Sequence, residues 1–237
     1  EDLYEFSNFL RKKTYLLSNT YEQKKHFRPF ASMIKVNTNK DPEEVAPPIA
    51  EELLEKEIEA LRQQKGTRLL QHKEYEIFLA KAEYIPNILH EIGRLREITF
   101  REVGEGTNLS IDLDEYDTYY RHLFLWESDT KRIVGAYRMG LGSDFFDMYG
   151  ATYGVNGFYT HSLFRFDSEL HTMLRQTIEM GRAFVVSEYQ QKPMPLFLLW
   201  KGIALTTLHF PEHKSLLGGV SISNQFSDFS KSLMIEF

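Results

Sequence analysis

The chain has 237 residues, which is enough for one large domain or for a domain with an extension. It contains no cysteine, which excludes disulfides, thiol catalysis and cysteine-ligated zinc. The net charge of −6 disfavours a broad nucleic-acid surface, and no apolar run approaches the roughly 20 residues that span a bilayer.

The first 65 residues predict an N-terminal extension and linker. Residues 1–30 are basic and aromatic, and residues 37–48, NTNKDPEEVAPP, are polar and contain proline. The main domain is predicted over residues 66–237. The chain does not begin with Met, and its last residues, SKSLMIEF, resemble the middle of an element, so we expect a piece of a longer protein.

Three helices are predicted next. The first, IAEELLEKEIEALRQQ (49–64), places Leu54, Ile58 and Leu61 on one face. A second is expected from about Lys73 to Ala82. The third, IPNILHEIGRLREITFREV (85–103), has a proline close to its start, where proline is favoured.

From Arg121 onwards the spacing of apolar residues changes, and short predicted strands alternate with predicted helices. The segments HLFLWES and RIVGAYRMG predict a hairpin, and FYTHSLFRF (158–166) predicts a strand. DSELHTMLRQT predicts a helix with Asp167 as its N-cap. IEMGRAFVV (178–186) predicts a strand, PLFLLWKGIALTTLHF a helix and SLLGGVSIS a last strand. The order indicates an α+β layer protein with a mixed sheet.

An acidic run, IDLDEYD (111–117), comes just before the first strand of the hairpin. Such a run is commonly a turn with capping side chains in solvent, and we expect Asp112 and Glu115 at the surface. The alternative is a functional one. Carboxylates at the mouth of a buried strand attract a cationic amine and can take its proton.

Four short segments, taken in order and spacing, resemble a known family. They are LREITF (95–100), DLDEYD (112–117), IVGAYRM (133–139) and IEMGRAF (178–184). Together they resemble acyl-homoserine-lactone synthases and ornithine-lipid-type N-acyltransferases, both branches of the GNAT fold. They are closer still to bacterial proteins labelled hemolysins, which resemble glycine- or ornithine-lipid synthases and often have another acyltransferase domain in front.

The resemblance implies a GNAT-like fold with a mostly antiparallel central sheet flanked by helices and a helical N-terminal extension. Residues 1–65 would then be the tail of a preceding acyltransferase domain. The resemblance also implies site residues. The catalytic candidates are Glu179, Asp117 and Asp114, and the substrate-binding candidates are Arg96, Phe100, Arg138 and Arg182. A Trp of the lactone synthases has no counterpart here, which argues against their amine substrate.

Each candidate has a structural alternative. Arg96 and Arg138 either bind a substrate carboxylate or form ion pairs with the aspartates. Glu179 is either a general base or a partner in a buried ion pair. In a regular strand Glu179 and Arg182 point to opposite faces, but Gly181 between them permits a bulge that would change their direction.

The segment VVSEYQQKPMP, after the predicted strand, is the expected binding loop of the acyl donor. The resemblance implies small residues and free backbone N–H groups there, but this chain has Pro193 and Pro195, which lack an N–H. With Gln190 and Lys192 as donor-binding candidates, the loop favours acyl carrier protein, with its single phosphate, over acyl-CoA. The alternative is a helix that simply begins with proline.

Two further surfaces are hypotheses. An acidic carrier protein would need a basic patch, for which the candidates are Arg94, Arg101, Lys131, Arg132, Lys192 and Lys201. A fatty acyl chain would need an apolar slot, although aromatic stripes more often form core. The candidates for that slot are Phe158, Phe164, Phe166, Phe197, Leu198 and Trp200.

The predicted function is therefore N-acyl transfer. A long fatty or 3-hydroxyfatty acyl group would move from acyl carrier protein to the amine of glycine or ornithine, giving an aminolipid. We expect no metal and no permanently bound cofactor, and a cytoplasmic location with peripheral membrane contact. The alternatives are a lactone-type signal synthase and a non-catalytic hemolysin-like or interaction module.

Overall fold

A computed structural model describes residues 41–148, 153–219, 227 and 230–232. The chain divides into two units, of which residues 41–219 form one and residues 1–40 with 220–237 form the other. The fold and the site described below belong to the unit 41–219. The predictions made for residues 1–40 and for the end of the last strand lie outside the described residues, and the domain boundary at residue 65 stays a prediction.

Six strands form a single sheet in the order in which they occur along the chain. They pair antiparallel throughout except for the last two, which are parallel. The predicted hairpin, the strand near residue 178 and the start of the last strand are confirmed. The strands are β1 (Arg68–His72), β2 (Tyr75–Lys81), β3 (Arg121–Glu127), β4 (Arg132–Leu141), β5 (Thr177–Val185) and β6 (Ser215–Gly218).

Six α-helices accompany the sheet within residues 41–219. The first, third and last of the helices predicted from the sequence are confirmed, and both long later ones begin with proline as expected. The helices are α1 (Glu51–Gln63), α2 (Pro86–Glu102), α3 (Tyr159–Leu163), α4 (His171–Arg175), α5 (Ser187–Gln190) and α6 (Pro193–His209).

The helices cover both faces of the sheet. Helix α6 packs against β1 to β4, and α2 packs against β4 and β5 with α1 beside it. In β3, the side chain of Leu123 lies against Gly202 of α6. The ring of the next residue, His122, forms a hydrogen bond with the backbone carbonyl of Asp117, in the loop that α2 contacts. Because side chains alternate along a strand, α2 and α6 lie on opposite faces.

The predicted helix from Lys73 to Ala82 is wrong, because this segment is β2. Lys73 and Glu74 form a two-residue turn between β1 and β2, with Lys73 in the left-handed region at φ 55°. That position usually holds Gly or Asn, so the sequence carried no hairpin signal. Most of β2 is buried between two neighbouring strands, so its apolar run has no period that would identify a strand.

Two predictions for residues 158–177 also need correction. The predicted strand FYTHSLFRF contains α3 instead, because Glu179 accepts hydrogen bonds from the first backbone N–H groups of this helix, at Tyr159 and Thr160. The predicted helix after it is broken into a 3-10 turn (Ser168–Leu170) and α4. Asp167 precedes the turn, but its side chain makes no capping hydrogen bond.

Gly135 in β4 tests how tightly β4, β5 and α6 are packed. A Cβ atom at this position would lie 2.5 Å from the carbonyl oxygen of Phe184 and 3.0 Å from Leu199. We expect Gly135→Ala to lower the free energy of unfolding by about 1–3 kcal/mol, because the backbone of β5 must move. Urea unfolding measures it, with Gly219→Ala, which meets no atom within 4 Å, as control. Equal stability of the two variants would contradict this packing.

Candidate active site

The acidic run forms a loop that is folded by its own carboxylates. Asp114 precedes a 3-10 turn (Glu115–Thr118), and its side chain accepts from the backbone N–H groups of Tyr116 and Asp117. Asp117 completes a capping box by accepting from the N–H of Asp114 at 2.9 Å. Glu115 is exposed as expected, but Asp112 is buried, so its predicted surface position is wrong. Asp114 and Asp117 therefore cap the turn, and a functional role of the acidic run stays a prediction.

Arg96 of α2 binds this loop through its guanidinium group. Its guanidinium donates to Asp112 at 2.9 Å and to both carboxylate oxygens of Asp117, at 3.1 and 2.7 Å. It also donates to the backbone carbonyl of Asp112. Only 1–2% of these three side chains is exposed, so the cluster is closed to solvent. Asp112 is buried because it neutralises Arg96.

Arg138 of β4 is the second buried cation. It donates to Asp114 and lies 3.3 Å from Asp117. The rings of Tyr116, Tyr120 and Tyr159 surround its guanidinium, with centroids 5.4, 5.2 and 5.3 Å away. This arrangement satisfies the charge by ion pairing and by cation–π contact. The guanidinium is therefore enclosed by aromatic rings, and its Nη1 atom is bound to the acidic loop.

Asp117 is held in its charged form. Burial alone would raise the pKa of this carboxyl, but the hydrogen bonds and charge of Arg96 and the charge of Arg138 hold the pKa far below its usual range. Both oxygens already accept hydrogen bonds. A carboxylate with so low a pKa is a poor proton acceptor, so its geometry suits anchoring more than base catalysis.

A bulge in β5 brings Glu179 and Arg182 to the same side of the sheet. The register between β4 and β5 shifts between Ala136 and Arg138, and Arg182 lies in the left-handed region at φ 50°. The bulge that Gly181 permits is therefore present. Arg182 reaches the carboxylate cluster, with its guanidinium 3.6 Å from Asp112 and 3.8 Å from Asp114.

Arg182 differs from the two buried arginines. It makes no hydrogen bond to another residue within the described part of the chain, and its Nε is buried without a partner. Its side chain is 24% exposed and that of Asp114 is 27% exposed. The Oδ2 atom of Asp114 likewise accepts no hydrogen bond from the described residues. A cation and a carboxylate with unused capacity thus face each other at the edge of the buried network.

Glu179 lies three residues before Arg182 in β5 and is nearly inaccessible, with 3% of the residue exposed. It accepts from the hydroxyls of Tyr120 and Thr160 and from two backbone N–H groups of α3. Burial raises the pKa of Glu179, although the hydrogen bond from Tyr120 and those from the α3 backbone oppose the rise. Glu179 therefore differs from Asp117, whose pKa moves in the opposite direction.

The remaining candidates lie apart from this cluster. Phe100 is half-buried against the main core. The Gln190 amide donates to the carbonyl of Val185 at 2.9 Å, and the Lys192 ammonium lies 4.1 Å from the ring centroid of Tyr189. Gln190 ends α5 and Lys192 directly precedes α6, so both lie between β5 and α6, and their role in donor binding stays a prediction.

The basic patch is partly neutralised. Arg94, Arg101 and Lys131 form ion pairs with glutamates at 2.6, 2.6 and 2.9 Å. Arg132, Lys192 and Lys201 are exposed.

The six apolar candidates do not form one slot. Phe158 and Phe166 belong to a small cluster around Tyr120, and Leu198 is in the main core. Phe164, Phe197 and Trp200 are exposed.

A cavity of about 530 Å³ lies between α1, α2, the start of β4 and the segment after β5. Its volume is within the range of about 300–1,000 Å³ of small-molecule sites. Its wall is apolar at Leu54, Leu95 and Ile133, and it also carries three cationic side chains, Arg132 among them, and three glutamates. Among the described residues, no three histidine or acidic side chains are close enough to hold a metal ion.

Sequence reasoning missed the tyrosines and Thr160. Tyr116, Tyr120 and Tyr159 enclose Arg138, and Thr160 donates to Glu179. The tyrosines of the segment DEYDTYY were visible, but aromatic residues next to a strand usually indicate core. The segment around Tyr159 was mistaken for a strand, and its position against Glu179 depends on contacts across 19 or 20 residues.

Comparison with known proteins gives independent information about this arrangement. Residues 95–200 match the model of the acetyltransferase (GNAT) domain. Over 206 residues the chain is 35% identical to a glycine N(alpha)-acyltransferase of Bacteroides thetaiotaomicron. Over 206 residues it is 32% identical to a glycine N(alpha)-acyltransferase of Phocaeicola vulgatus. Each alignment takes in 82% of this chain. No solved structure matches it.

The matches confirm the GNAT-like α+β fold and support the prediction of an acyltransferase. The chain spans 59% and 61% of the length of the two relatives. A closer kinship with hemolysin-labelled proteins, ornithine-lipid synthases or lactone synthases stays a prediction. The site residues also stay candidates, now with a geometry.

His122 provides a pH test of the buried network. Burial lowers the pKa of His122 from its usual 6.5 to about 4, although Asp117 opposes this. His122 therefore becomes protonated below about pH 6.5 in the unfolded chain, but only near pH 4 in the folded chain. Stability is full above pH 6.5 and falls as the pH drops towards 4, by roughly 3 kcal/mol from this group.

We expect His122→Gln, whose amide can still donate to the carbonyl of Asp117, to flatten this dependence. Urea unfolding at pH 7.5 and pH 4.5 measures the difference, with His209→Gln, at an exposed position, as control. If His122→Gln retains the full loss of stability between these pH values, His122 is not buried in its neutral form.

Proposed function

We propose that this chain, which carries a GNAT acyltransferase domain, transfers a long-chain acyl group from a thioester to the amine of glycine. The observation that supports this most is the pair formed by Arg182 and Asp114, a cation and a carboxylate with unused hydrogen-bonding capacity at the edge of a buried network. The names of the two relatives support glycine over ornithine as the acceptor.

Glycine is a zwitterion, and the pair matches it group by group. The guanidinium of Arg182 binds the carboxylate of glycine, and Oδ2 of Asp114 accepts from its ammonium. Arg182 and Asp114 are each about a quarter exposed, so a small amino acid can reach them. Arg96 and Arg138 do not compete for the substrate carboxylate, because their own aspartates occupy them. In this proposal they hold the loop that carries Asp114.

The amine must lose a proton before it can attack. Glu179 is the better candidate for the base, because burial raises its pKa whereas Asp117 is held as a carboxylate by two arginines. Tyr120 is hydrogen-bonded to Glu179 and can pass the proton to it. Asp117 is therefore assigned an anchoring role and not a catalytic one.

The transfer itself needs no bound cofactor in this scheme. The neutral amine attacks the thioester carbonyl carbon, the new C–N bond forms and the C–S bond breaks. The ammonium gives one proton to the base before the attack, and the thiol leaves with a second proton from the same nitrogen. Backbone N–H groups at the β5 bulge are candidates for stabilising the oxyanion, because a bulge interrupts the ladder of hydrogen bonds.

Acyl carrier protein is the proposed donor. Pro193 and Pro195 remove two backbone N–H groups from the start of α6, where a diphosphate would otherwise bind. Lys192 precedes them as a single cation suited to the one phosphate of the carrier arm. The cavity of 530 Å³ beside this segment, with Arg132 in its lining, is the candidate passage for the arm.

The function is tested by offering glycine and ornithine with the same long acyl group on acyl carrier protein or on coenzyme A. We expect N-acylglycine by mass spectrometry, formed faster from the carrier protein. N-acylornithine as the main product would overturn the acceptor, and faster reaction from coenzyme A would overturn the donor. A lactone formed from S-adenosylmethionine would favour the signal-synthase alternative. Intact thioester in every mixture would favour a non-catalytic module.

We expect Arg182→Gln to raise KM for glycine by roughly ten- to a hundredfold with little change in kcat, because a charge-assisted contact to the substrate carboxylate is lost. Steady-state kinetics measure both constants. Arg175→Gln is the matched control, since Arg175 is a half-exposed arginine paired with Asp147 at 3.0 Å. An unchanged KM in Arg182→Gln would remove Arg182 from the substrate site.

We expect Glu179→Gln to lower kcat by about a hundredfold or more and to leave KM for glycine nearly unchanged. In the parent chain kcat should rise with pH through the raised pKa of the base and then level off, and the variant should lose this rise. The unfolding midpoint of the variant shows whether α3 still docks, and Glu105→Gln, at an exposed position outside the proposed site, is the control. A kcat close to that of the parent would contradict the assignment.

A further inference from the structure

The outer face of α6 is an exposed apolar surface. Trp200 and Phe197 are 66% and 61% exposed, and Leu208 at the far end is 75% exposed. These side chains recur at helical spacing along one side of the helix. The outer face is defined here by Met194, Leu196, Phe197, Trp200 and Leu208, with Lys201 among them.

The sequence of α6 does not require this face to be apolar for the fold. The opposite side of the helix already fills the core with Leu198, Leu199 and Gly202. A helix that packs on a sheet with one side normally has polar residues on the other, whereas a helix that is apolar all round is usually buried. Contiguous exposed apolar surface of this kind marks an interaction site.

The charge of the segment indicates the kind of partner. The chain as a whole has a net charge of −6, yet residues 189–211 contain Lys192 and Lys201 and no acidic residue. Both lysines are exposed. Exposed aromatic side chains such as Trp200 favour the headgroup level of a membrane, and lysines beside them are attracted to an anionic lipid surface.

We propose that the outer face of α6 binds the surface of an anionic lipid membrane. Phe197, Trp200 and Leu208 enter the headgroup region, and the ammonium group of Lys201 meets lipid phosphates. The contact is peripheral, since no helix within the described residues is long and apolar enough to cross a bilayer. The inference depends on this face alone and holds whatever the acyl acceptor is.

The outer face of α6 lies next to the segment proposed to bind the acyl donor. Helix α6 begins directly after Lys192, at the segment that follows β5. Docking through Phe197 and Trp200 therefore places the proposed donor segment at the lipid surface. A product with a long acyl chain would leave the protein where it can enter the bilayer.

A second copy of the chain is a less suitable occupant. Two outer faces packed against each other would bring together surfaces that each carry Lys201 and lack acidic residues to neutralise it. Such like charges disfavour a symmetric contact. Self-association is nevertheless a distinct outcome of the experiment below.

The two tryptophans make the test specific. Trp126 is 1% exposed and Trp200 is 66% exposed, so a change in tryptophan emission on membrane binding reports on the outer face. The chain is titrated, without substrates, with vesicles of phosphatidylcholine alone or mixed with phosphatidylglycerol. We expect a blue shift and co-flotation with the anionic vesicles and much weaker binding to neutral ones.

Variants locate the contact. Phe197→Ser with Leu208→Ser keeps the Trp200 reporter, and we expect vesicle binding to weaken by about tenfold or more. Val103→Ser with Leu53→Ser removes apolar side chains that are 64% and 44% exposed on other elements, and we expect binding to stay as in the parent chain. Lys201→Gln should reduce the preference for anionic vesicles.

Three results would overturn the proposal. These are equal binding to both kinds of vesicle, unchanged binding of the Phe197 and Leu208 double variant, or no binding to anionic vesicles, in which case a dimer in sedimentation would favour self-association. Because the vesicle titration contains no substrate, it tests membrane binding separately from acyl transfer, and either proposal can fail while the other holds. Loss of binding with intact transfer to glycine in detergent-free solution would leave the proposed function untouched.

Discussion

Two buried arginines determine the shape of this site. Arg96 and Arg138 come from a helix and a strand, and they meet Asp112, Asp114 and Asp117 on a single loop. Removing such charges from water costs several kcal/mol for each ion, so the loop must bring its carboxylates to the arginines or the fold fails at this point. The acidic run is therefore placed by electrostatics as much as by its turn. Arg182 joins this network from β5 as a third cation that no described residue hydrogen-bonds.

The ion network gives different roles to carboxylates that the sequence alone does not distinguish. Asp112 and Asp117 are closed off and serve the arginines, whereas Asp114 keeps one oxygen towards solvent and towards Arg182. Glu179 is buried among hydroxyls and backbone N–H groups, so its pKa moves up while that of Asp117 moves down. Divergent pKa values among neighbouring carboxylates allow one to bind charge and another to accept a proton. The proposed roles follow from this division.

The sequence predicted the fold class, the hairpin, the three long helices and the strand of the bulge. Their periods and their prolines are local signals. It did not predict β1 and β2, because Lys73 occupies a left-handed turn position that normally carries glycine or asparagine. It named the charged residues of the site through a resemblance, but could not distinguish ion pair from binding residue. That distinction depends on solvent access and on contacts such as that of Tyr120 with Glu179, which are 59 residues apart.

The central claim is that Arg182 recognises the carboxylate of the acceptor at the edge of a buried ion network. The most direct measurement compares kcat/KM for glycine and for glycinamide, which keeps the amine and replaces the carboxylate with a neutral amide. The account predicts that the parent chain prefers glycine strongly and that Arg182→Gln loses most of this preference while the control Arg175→Gln retains it. An undiminished preference for glycine in Arg182→Gln would contradict the account.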